Sequence, residues 1–354
     1  MEYTEKIENI KKILKDKNIG VCFSGGADSS LIADIASKVC NKAILITFDN
    51  GVLPREFLKE SEKQAEKFNL KHIIVKEDLM KNKSFCENNS NRCLICREYL
   101  YSKIKKVAND ENIDIIVDGT NMSDLVEDRP GVIAKYENKI LSPLVESEME
   151  TKDVLKYLED NNIDYLKSTT CLATRIKRNT KLTHKNINQV STAERIIKNI
   201  TKNDIVKVRN IDGMALIETD NIDKLLNKRI IQLIELQLKA ISFNKIALNI
   251  SKIEKEDKKL FIYKPCQEED NKIMFERELP YKIDVEKTKE EFDKEFDNVK
   301  YSKDMGVLMF NINNQNITVF ETGKVVLRRI NSQEEGEEIL MKLLPLIRRK
   351  IDNN

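Results

Sequence analysis

The stretch Ser24-Gly25-Gly26-Ala27-Asp28-Ser29 decides how the first half of this chain folds. It directly follows the apolar run Ile19–Phe23 and precedes Ser30–Ala36, a run with helical character. Two adjacent glycines let the backbone turn sharply, so that main-chain N–H groups converge on an anion. The two serines add hydroxyl donors, and the following helix points its positive N-terminal end at the same place. The stretch therefore predicts a phosphate-binding loop, and it lacks the G-x-x-x-x-G-K-[ST] spacing of a Walker loop.

Short apolar runs alternate with helical runs around this loop. The pattern predicts strands at 19–23, 43–48, 72–75 and 114–117, and helices at 5–15, 28–39 and 55–68. Continuous apolar strands separated by helices are typical of a parallel sheet covered on both faces. Ligands of such sheets bind at the carboxyl ends of the strands, which is where the glycine-rich turn lies.

The pattern changes after residue 182, and we expect three domains, at 1–182, 183–262 and 263–354. The second reads as a small α+β unit that includes a long apolar helix at 221–239. The third reads as a β-meander closed by a helix at 333–350. The expected fold is therefore an α/β parallel sheet with a small α+β second domain and an extra α+β C-terminal domain.

The bulk composition narrows the class of protein. Lys and Arg number 61 against 59 Asp and Glu, a balance that argues against a dedicated nucleic-acid scaffold. No apolar run is long enough to span a membrane, so we expect a cytoplasmic protein. In a reducing compartment its 7 cysteines are expected to be buried, metal-binding or catalytic rather than paired in disulfides.

Three of the cysteines have chemical contexts. Cys93 and Cys96 form a C-x-x-C at the expected start of a helix, where the helix N-terminus and the neighbouring Arg92 and Arg97 should lower their pKa values. That spacing suits a metal, an iron–sulfur cluster or a redox pair. Cys171 lies in a polar loop at 168–175, in which the arginine at the end of the loop could stabilise its thiolate. Three cysteines suffice for a cubane cluster with one open iron, and zinc with His184 as a fourth ligand is the alternative.

A set of motifs occurs in one order along the chain: Phe23–Ser29, Arg92–Cys96, Gly119–Asn121, Arg129–Gly131, Ser142–Leu144 and Cys171–Arg175. Together they resemble the LarE family of ATP-dependent sulfur insertases, in the pyrophosphate-loop (PP-loop) ATP pyrophosphatase superfamily. Val208-Arg209 and Gly213–Glu218 resemble that family's second domain. The resemblance covers residues 3–255 and leaves out the last ninety or so.

The resemblance implies a Rossmann-like fold of the adenine nucleotide alpha hydrolase-like (HUP) type, with ATP and Mg²⁺ as cofactors. Family members adenylate a carboxylate of pyridinium-3,5-biscarboxylic acid mononucleotide and replace the adenylate with sulfur, on the way to the nickel-pincer nucleotide. In one branch the sulfur comes from the cysteine at the position of Cys171, which is consumed. In the other, cysteines matching Cys93, Cys96 and Cys171 hold a [4Fe–4S] cluster that delivers sulfide. This chain has all three, which favours the cluster branch; the sulfur donor is left open.

The expected roles of individual residues follow from the loop and the resemblance. Cys171 attacks the acyl adenylate, directly or through cluster-bound sulfide, and Asp28 joins it as a catalytic residue. The remaining site residues are expected to bind the phosphates and Mg²⁺ (Ser24, Gly25, Gly26, Asp28, Ser29), to lie against adenine (Thr47, Phe48), to line the same cleft (Gly119, Thr120, Asn121) and to bind the acceptor (Arg129, Arg175, Arg209).

Departures from the family pattern leave the acceptor open. Ser123-Asp124, Glu127-Asp128 and Leu216 stand where the family has Asp-Asp, Asp-Tyr and an arginine. A small-molecule nucleotide acceptor is favoured, and a tRNA base is the nearest rival, since cations of the C-terminal domain could form a basic face (Lys324, Arg328, Arg329, Arg348, Arg349, Lys350). An ammonia-dependent synthetase and an iron–sulfur or ATP sensor are further alternatives. The apolar helix at 221–239 could support a homo-oligomer.

Overall fold

The computed structural model describes residues 2–125, 134–135, 138–167, 170–251, 253, 262–265, 273–303, 305–313 and 315–351. Within these residues the strands form three sheets, of four, three and six strands in chain order. No helix in these ranges combines the length and the apolar character needed to cross a membrane.

The first sheet carries the phosphate loop and is built by the alternation that the sequence predicts. Its elements are α1 (Tyr3–Leu14), β1 (Asn18–Cys22), α2 (Ala27–Val39), β2 (Lys42–Asp49), α3 (Phe57–Glu66), β3 (Lys71–Lys76), α4 (Lys83–Cys86), α5 (Arg92–Asp110), β4 (Ile115–Val117), α6 (Met122–Leu125), α7 (Pro143–Glu146) and α8 (Thr151–Asp160). The strands are all parallel, in the order β3-β2-β1-β4. This confirms the predicted Rossmann-like parallel sheet, whose strand ends converge beside the loop after β1.

Both faces of the first sheet are covered, which explains why its strands are apolar without alternation. On one face, side chains of α1, α2 and α8 pack against Ile19, Val21 and Leu45. On the other, side chains of α5 pack against Ile44 and Ile46 of β2.

The second sheet is formed by β5 (Val206–Ile211), β6 (Met214–Thr219) and β7 (Lys245–Leu248), with α9 (His184–Thr201) and α10 (Lys228–Ala240) beside them. β5 and β6 pair as an antiparallel hairpin, and β7 lies parallel to β6. The prediction of a helix at 221–239 was wrong about where the helix begins. α10 begins at Lys228, because Asn227 caps it by accepting from the Arg229 N–H at 2.9 Å. Several apolar side chains on and before α10 are exposed (Leu226, Ile231, Leu233, Leu236), but self-association stays a prediction.

The third sheet has the order β10-β11-β12-β13-β9-β8. Its elements are β8 (Ile262–Pro265), β9 (Ile273–Glu278), α11 (Val285–Glu295), β10 (Lys300–Ser302), β11 (Val307–Ile312), β12 (Gln315–Phe320), β13 (Lys324–Ile330) and α12 (Gln333–Leu343). The predicted meander is confirmed as β11, β12 and β13, which pair antiparallel in turn. The final helix ends earlier than predicted, because a 3₁₀ turn with Pro345 follows it directly.

The third sheet shares a core with the first region. Met122, Leu125 and Val145 belong to the same buried cluster as the side chains of β9, β11 and β13. The Tyr281 hydroxyl also donates to the Leu125 carbonyl oxygen at 2.8 Å. The C-terminal region is therefore packed on α6, close to the carboxyl end of β4, while the predicted domain boundaries stay predictions.

Candidate functional site

The glycine-rich turn after β1 is tightly constrained. Gly25 has a φ of +73°, and a Cβ there would lie 2.8 Å from Leu166 Cδ1. The Leu166 N–H donates to the Gly25 carbonyl oxygen at 2.8 Å, so the strand-like segment at 166 holds the turn from outside. Only glycine suits this conformation and this approach, which is why the sequence signal is specific.

The two serines of the loop organise it from within. The Ser24 N–H donates to Ser29 Oγ at 3.3 Å, and Ser29 Oγ donates to the Gly26 carbonyl oxygen at 3.1 Å. Ser24 Oγ lies 3.2 Å from Ser29 Oγ and accepts from the Gly26 N–H at 3.3 Å. The N-terminus of α2 follows at once, so the loop has the donors and the helix dipole of an anion site.

The segment Gly119–Asn121 lies directly against this loop, as the parallel order predicts. A Cβ on Gly119 would lie 2.9 Å from Asp28 Cβ and 3.1 Å from the Ser29 nitrogen, so the two backbones are in close contact. Asn121 Nδ2 donates to Asp28 Oδ1 at 2.7 Å. The structure thus brings together the predicted residues after β1 and β4, and their contact with ATP stays a prediction.

Asp118 is a buried carboxylate at the end of β4 that the sequence analysis missed. It accepts from Tyr101 at 2.9 Å, from Thr120 Oγ1 at 2.9 Å and from Ser142 at 2.6 Å. Burial raises the pKa of Asp118, but the charges of Arg97 and Lys135 and the hydrogen bonds from Ser142 and Thr120 outweigh it and hold the pKa below its usual range. Because Arg97 and Tyr101 belong to α5, Asp118 joins the C-x-x-C helix to the loop after β4.

The side chains of Thr47 and Phe48 have partners within the protein. Thr47 is fully buried, and its hydroxyl donates to the Phe23 carbonyl oxygen at 2.8 Å and lies 2.7 Å from His72 Nε2. Phe48 packs edge-on against Tyr99, with ring centroids 6.4 Å apart. Contact between these residues and adenine stays a prediction, and for Thr47 it would involve the backbone.

The three cysteines of the resemblance come together at the same edge of the first sheet. Each sulfur accepts one N–H: Cys96 from Asn50 at 3.7 Å, Cys93 from Arg92 at 3.7 Å, and Cys171 from the Ala173 backbone at 3.4 Å. Negative charge on Cys93 or on Cys171 raises the pKa of Cys96, so the thiols lie within electrostatic range of one another.

The expectation of a lowered thiol pKa was wrong for Cys96. Burial raises the pKa of Cys96 to about 12, and the neighbouring thiols add to the effect. Burial also raises the pKa of Cys171 to about 11, against the Ala173 N–H and the charges of Arg92 and Arg175. Desolvation therefore outweighs the cations that the local sequence supplies.

A metal centre receives no support from this arrangement. Across the described ranges, no group of three or more His, Cys, Asp or Glu side chains is close enough together to hold a metal ion. The three thiols, in the positions that they have here, therefore do not fit a [4Fe–4S] cluster. Zinc with His184 as a fourth ligand does not fit either.

Cations cluster beside the Cys171 loop. Arg175 is buried and pairs with Glu194, Nε to Oε1, at 2.6 Å. Arg209 pairs with Glu218 at 2.9 Å and donates to the Thr174 carbonyl oxygen at 3.2 Å.

Lys207 was missed by the sequence analysis, although its i, i+2 spacing from Arg209 places both on one face of β5. Burial and the charges of Arg175 and Arg209 lower the pKa of Lys207. Such a group suits an anionic ligand.

Some predicted residues cannot be placed. Arg129 and its neighbours in the Arg129–Gly131 motif lie outside the described residues, as do Glu127-Asp128 and residues 168–169 before Cys171. Acceptor binding by Arg129 therefore stays a prediction.

Comparisons with known proteins give relatives for part of the chain. The chain is 30% identical over 243 residues to "Uncharacterized protein MJ0830" of Methanocaldococcus jannaschii, covering 68% of this chain and 93% of that protein. It is 25% identical over 210 residues to pyridinium-3,5-bisthiocarboxylic acid mononucleotide synthase of Lactiplantibacillus plantarum, covering 58% of this chain and 76% of that protein. A shorter stretch of 142 residues is 32% identical to the GMP synthase of Clostridium perfringens, covering 38% of this chain and 28% of that enzyme.

No family model matches the chain. Identity and coverage to the Methanocaldococcus protein are high enough to establish common family membership. The chain therefore belongs to the family of MJ0830, within the PP-loop superfamily of ATP-utilising enzymes.

Proposed function

We propose that this protein is a cytoplasmic ATP-dependent sulfurtransferase, which adenylates an acceptor, releases pyrophosphate and replaces the AMP with sulfur. The position of the Cys171 loop supports this most directly. Before the loop, the Leu166 N–H donates to the Gly25 carbonyl oxygen at 2.8 Å; within it, the Leu172 N–H donates to the Val52 carbonyl oxygen at 2.9 Å. The thiol is thus fastened to the edge of the sheet that carries the phosphate loop.

In the first step, a carboxylate oxygen of the acceptor attacks the α-phosphorus of ATP and the bond to pyrophosphate breaks. The N–H groups of residues 24–29 and the N-terminus of α2 would stabilise the charge that builds on pyrophosphate. Asp28, held by Asn121, would offer a carboxylate oxygen to Mg²⁺.

In the second step, the Cys171 thiolate attacks the acyl carbon and AMP leaves with the electron pair of the broken C–O bond, which gives a thioester. Loss of the Cα proton of residue 171 and cleavage of its Cβ–Sγ bond would leave a thiocarboxylate on the acceptor and dehydroalanine in the chain. The charges of Arg92 and Arg175 favour the thiolate against the cost of burial. No step is assigned to an iron–sulfur cluster.

The acceptor is proposed to be a small nucleotide with a phosphate and a carboxylate. Lys207 and Arg209, both partly exposed on one face of β5, would bind its anionic groups, with Arg209 exchanging its pairing with Glu218 for the ligand, whereas Arg175 is buried in its pair with Glu194. The Lactiplantibacillus relative is a synthase of a pyridinium mononucleotide, which favours an acceptor of that kind. Leu216, where the LarE pattern has an arginine, is the position at which a different acceptor would be accommodated.

Thiolation of tRNA is less well supported, because most cations of the C-terminal region already have partners within the chain. These contacts are Lys324 with Glu276 at 3.1 Å, Arg348 with Glu291 at 3.1 Å, Lys350 with Glu321, and Arg349 over the Tyr281 ring at 5.4 Å. A tRNA gel shift with a steep dependence on salt would favour that acceptor instead.

The proposal is tested by incubating the full chain with ATP, Mg²⁺ and pyridinium-3,5-biscarboxylic acid mononucleotide. We expect pyrophosphate, a thiocarboxylate product, and loss of the elements of H₂S from Cys171 by protein mass spectrometry. Cys171→Ala should release pyrophosphate without forming the sulfur product. Cys40→Ala removes a thiol that bonds only to the Leu14 carbonyl in the described contacts, and it should behave like the wild type.

Other outcomes separate the alternatives. An amide product with ammonia, unchanged in Cys171→Ala, would establish the synthetase reading. ATP binding without pyrophosphate release would establish a sensor. About four irons per chain after anaerobic purification, lost in Cys93→Ala, would restore the cluster branch and replace the direct attack by Cys171.

A further inference from the structure

Arg92, the first residue of α5, is buried and lies between two of the cysteines. Its Nη2 donates to Cys93 Sγ at 3.7 Å, and its Nη1 donates to the Ala173 carbonyl oxygen at 3.1 Å. The N–H of the same Ala173 donates to Cys171 Sγ at 3.4 Å. One guanidinium and one residue of the loop therefore connect the two sulfur atoms.

Asn88 holds this connection in place. It is fully buried with a φ of +59°, and its side-chain amide donates to the carbonyl oxygens of Lys177 at 2.8 Å and Thr180 at 3.1 Å. Its Oδ1 accepts from Arg92 Nη1, the nitrogen that also reaches Ala173. The segment after Cys171 is thus fastened to the start of α5 through the side chains of Asn88, in the loop before α5, and of Arg92.

We propose that Arg92 is a positioning residue that holds the Cys171 loop against Cys93, so that the thiols of the C-x-x-C and the loop act as one site. The proposal rests on the proposed function, because it deepens the role of the Cys171 site. It adds a residue that touches neither the nucleotide nor the reacting carbon. Its effect passes through the Ala173 carbonyl and the Cys93 sulfur.

Arginine is required here because its planar fork presents several N–H groups at once in fixed directions. A lysine at 92 would keep the positive charge, but its single ammonium could not span Asn88, Ala173 and Cys93 together. We therefore expect a lysine at 92 to hold the Cys171 loop against α5 less firmly than the arginine does.

The test uses dibromobimane, a reagent that links two neighbouring thiols, on the full chain without ATP or acceptor. After trypsin, mass spectrometry compares the link between peptides 93–97 and 168–175 with the link inside peptide 93–97, between Cys93 and Cys96. The second link lies within α5 and serves as the internal reference. Arg92→Lys keeps the trypsin site and the charge, and Arg195→Gln, an exposed change on α9, is the control.

We expect the ratio of the two links to fall roughly tenfold in Arg92→Lys, as the loss of a charged hydrogen bond implies, and to stay constant in Arg195→Gln. An unchanged ratio in Arg92→Lys overturns the proposal. Should that variant unfold, the ratio is measured in Arg92→Ala with and without added ethylguanidinium; in both samples the C-x-x-C lies in the longer peptide 84–97, because the trypsin site at 92 is lost. Restoration of the ratio by the ion supports bridging by the fork, and failure of the ion to restore it refutes bridging.

The readout is independent of the reaction. If the ratio behaves as expected while Cys171→Ala still forms the sulfur product, the proposed function fails and the role of Arg92 in placing the loop stands. If the wild type transfers sulfur and the ratio does not depend on Arg92, the proposed function stands and the proposed role of Arg92 fails.

Discussion

Lys135 offers the sharpest test of the electrostatics beside the loop after β4. Its side chain is 3% exposed, and burial lowers its pKa from 10.5 to about 8. The charges of Asp118 and Glu146 oppose this shift. The charges of Arg97 and Arg348 reinforce it, the latter from the C-terminal region. Desolvation therefore lowers the pKa of Lys135 by more than the nearby carboxylates raise it.

The sign follows from proton linkage. Between pH 8 and pH 10.5 the unfolded chain binds more protons at this lysine than the folded chain, so stability rises with pH in that window. Applying the linkage relation to the two pKa values, this group adds about 2 kcal/mol to the free energy of unfolding between pH 7 and pH 9.5. Below pH 7 its contribution is constant.

The assay is urea unfolding of the wild type and Lys135→Met at about pH 7 and pH 9.5. Methionine keeps the length of the side chain without the charge, and other titrating groups cancel in the difference between the two proteins. The wild type should gain about 2 kcal/mol relative to the variant as the pH rises. Relative to Lys198→Met, which replaces an exposed residue of α9, the wild type should show no such gain in stability.

An opposite result would refute the reasoning. If attraction to Asp118 outweighed burial, the folded pKa would exceed 10.5 and the wild type would lose stability relative to Lys135→Met at high pH. Equal behaviour of the two proteins at both pH values would mean that water reaches the ammonium.

Three further predictions concern the site and its support. Asn121→Ala removes the hydrogen bond to Asp28 and should weaken ATP binding roughly ten- to hundredfold by calorimetry, whereas unchanged affinity would remove Asn121 from the nucleotide site. Alkylation of Cys171 by iodoacetamide should accelerate with each pH unit from 8 to about 11, and a plateau near neutral pH would contradict the raised pKa. Leu125→Ala should cost about 2–5 kcal/mol in urea unfolding and leave a single transition, since Leu125 belongs to the core of the C-terminal region; two separate transitions would show independent domains.

The features that were predicted correctly from the sequence are those that nearby residues of the chain determine. The loop at 24–29 is specified by residues that contact one another, so its turn and its helix could be read without knowledge of the rest. The strands of the first sheet were recognisable because both of its faces are buried and their apolar runs are continuous. The start of α10 was missed although Asn227 carries an ordinary capping signal.

Properties that depend on burial could not be read from neighbours in sequence. The arginines beside Cys93 and Cys96 suggested lowered pKa values, but the environment that raises the pKa of Cys96 comes from segments far along the chain. Asp118 looks like any polar residue after a strand until Tyr101 and Ser142 surround it. The polar groups of the site that are buried by tertiary packing could therefore not be predicted from the sequence.

The C-terminal region lies outside the resemblance, yet only a few residues connect it to the glycine-rich loop after β1. α6 is four residues long; Asn121, immediately before it, binds Asp28, and Leu125, its last residue, accepts from Tyr281. A displacement of the C-terminal region would therefore be felt at Asp28. Deleting it would also expose Met122 and Leu125, which it now buries. Loss of activity on deletion would accordingly report damage around Asp28, and a separate role for this region has to be sought by changing its surface.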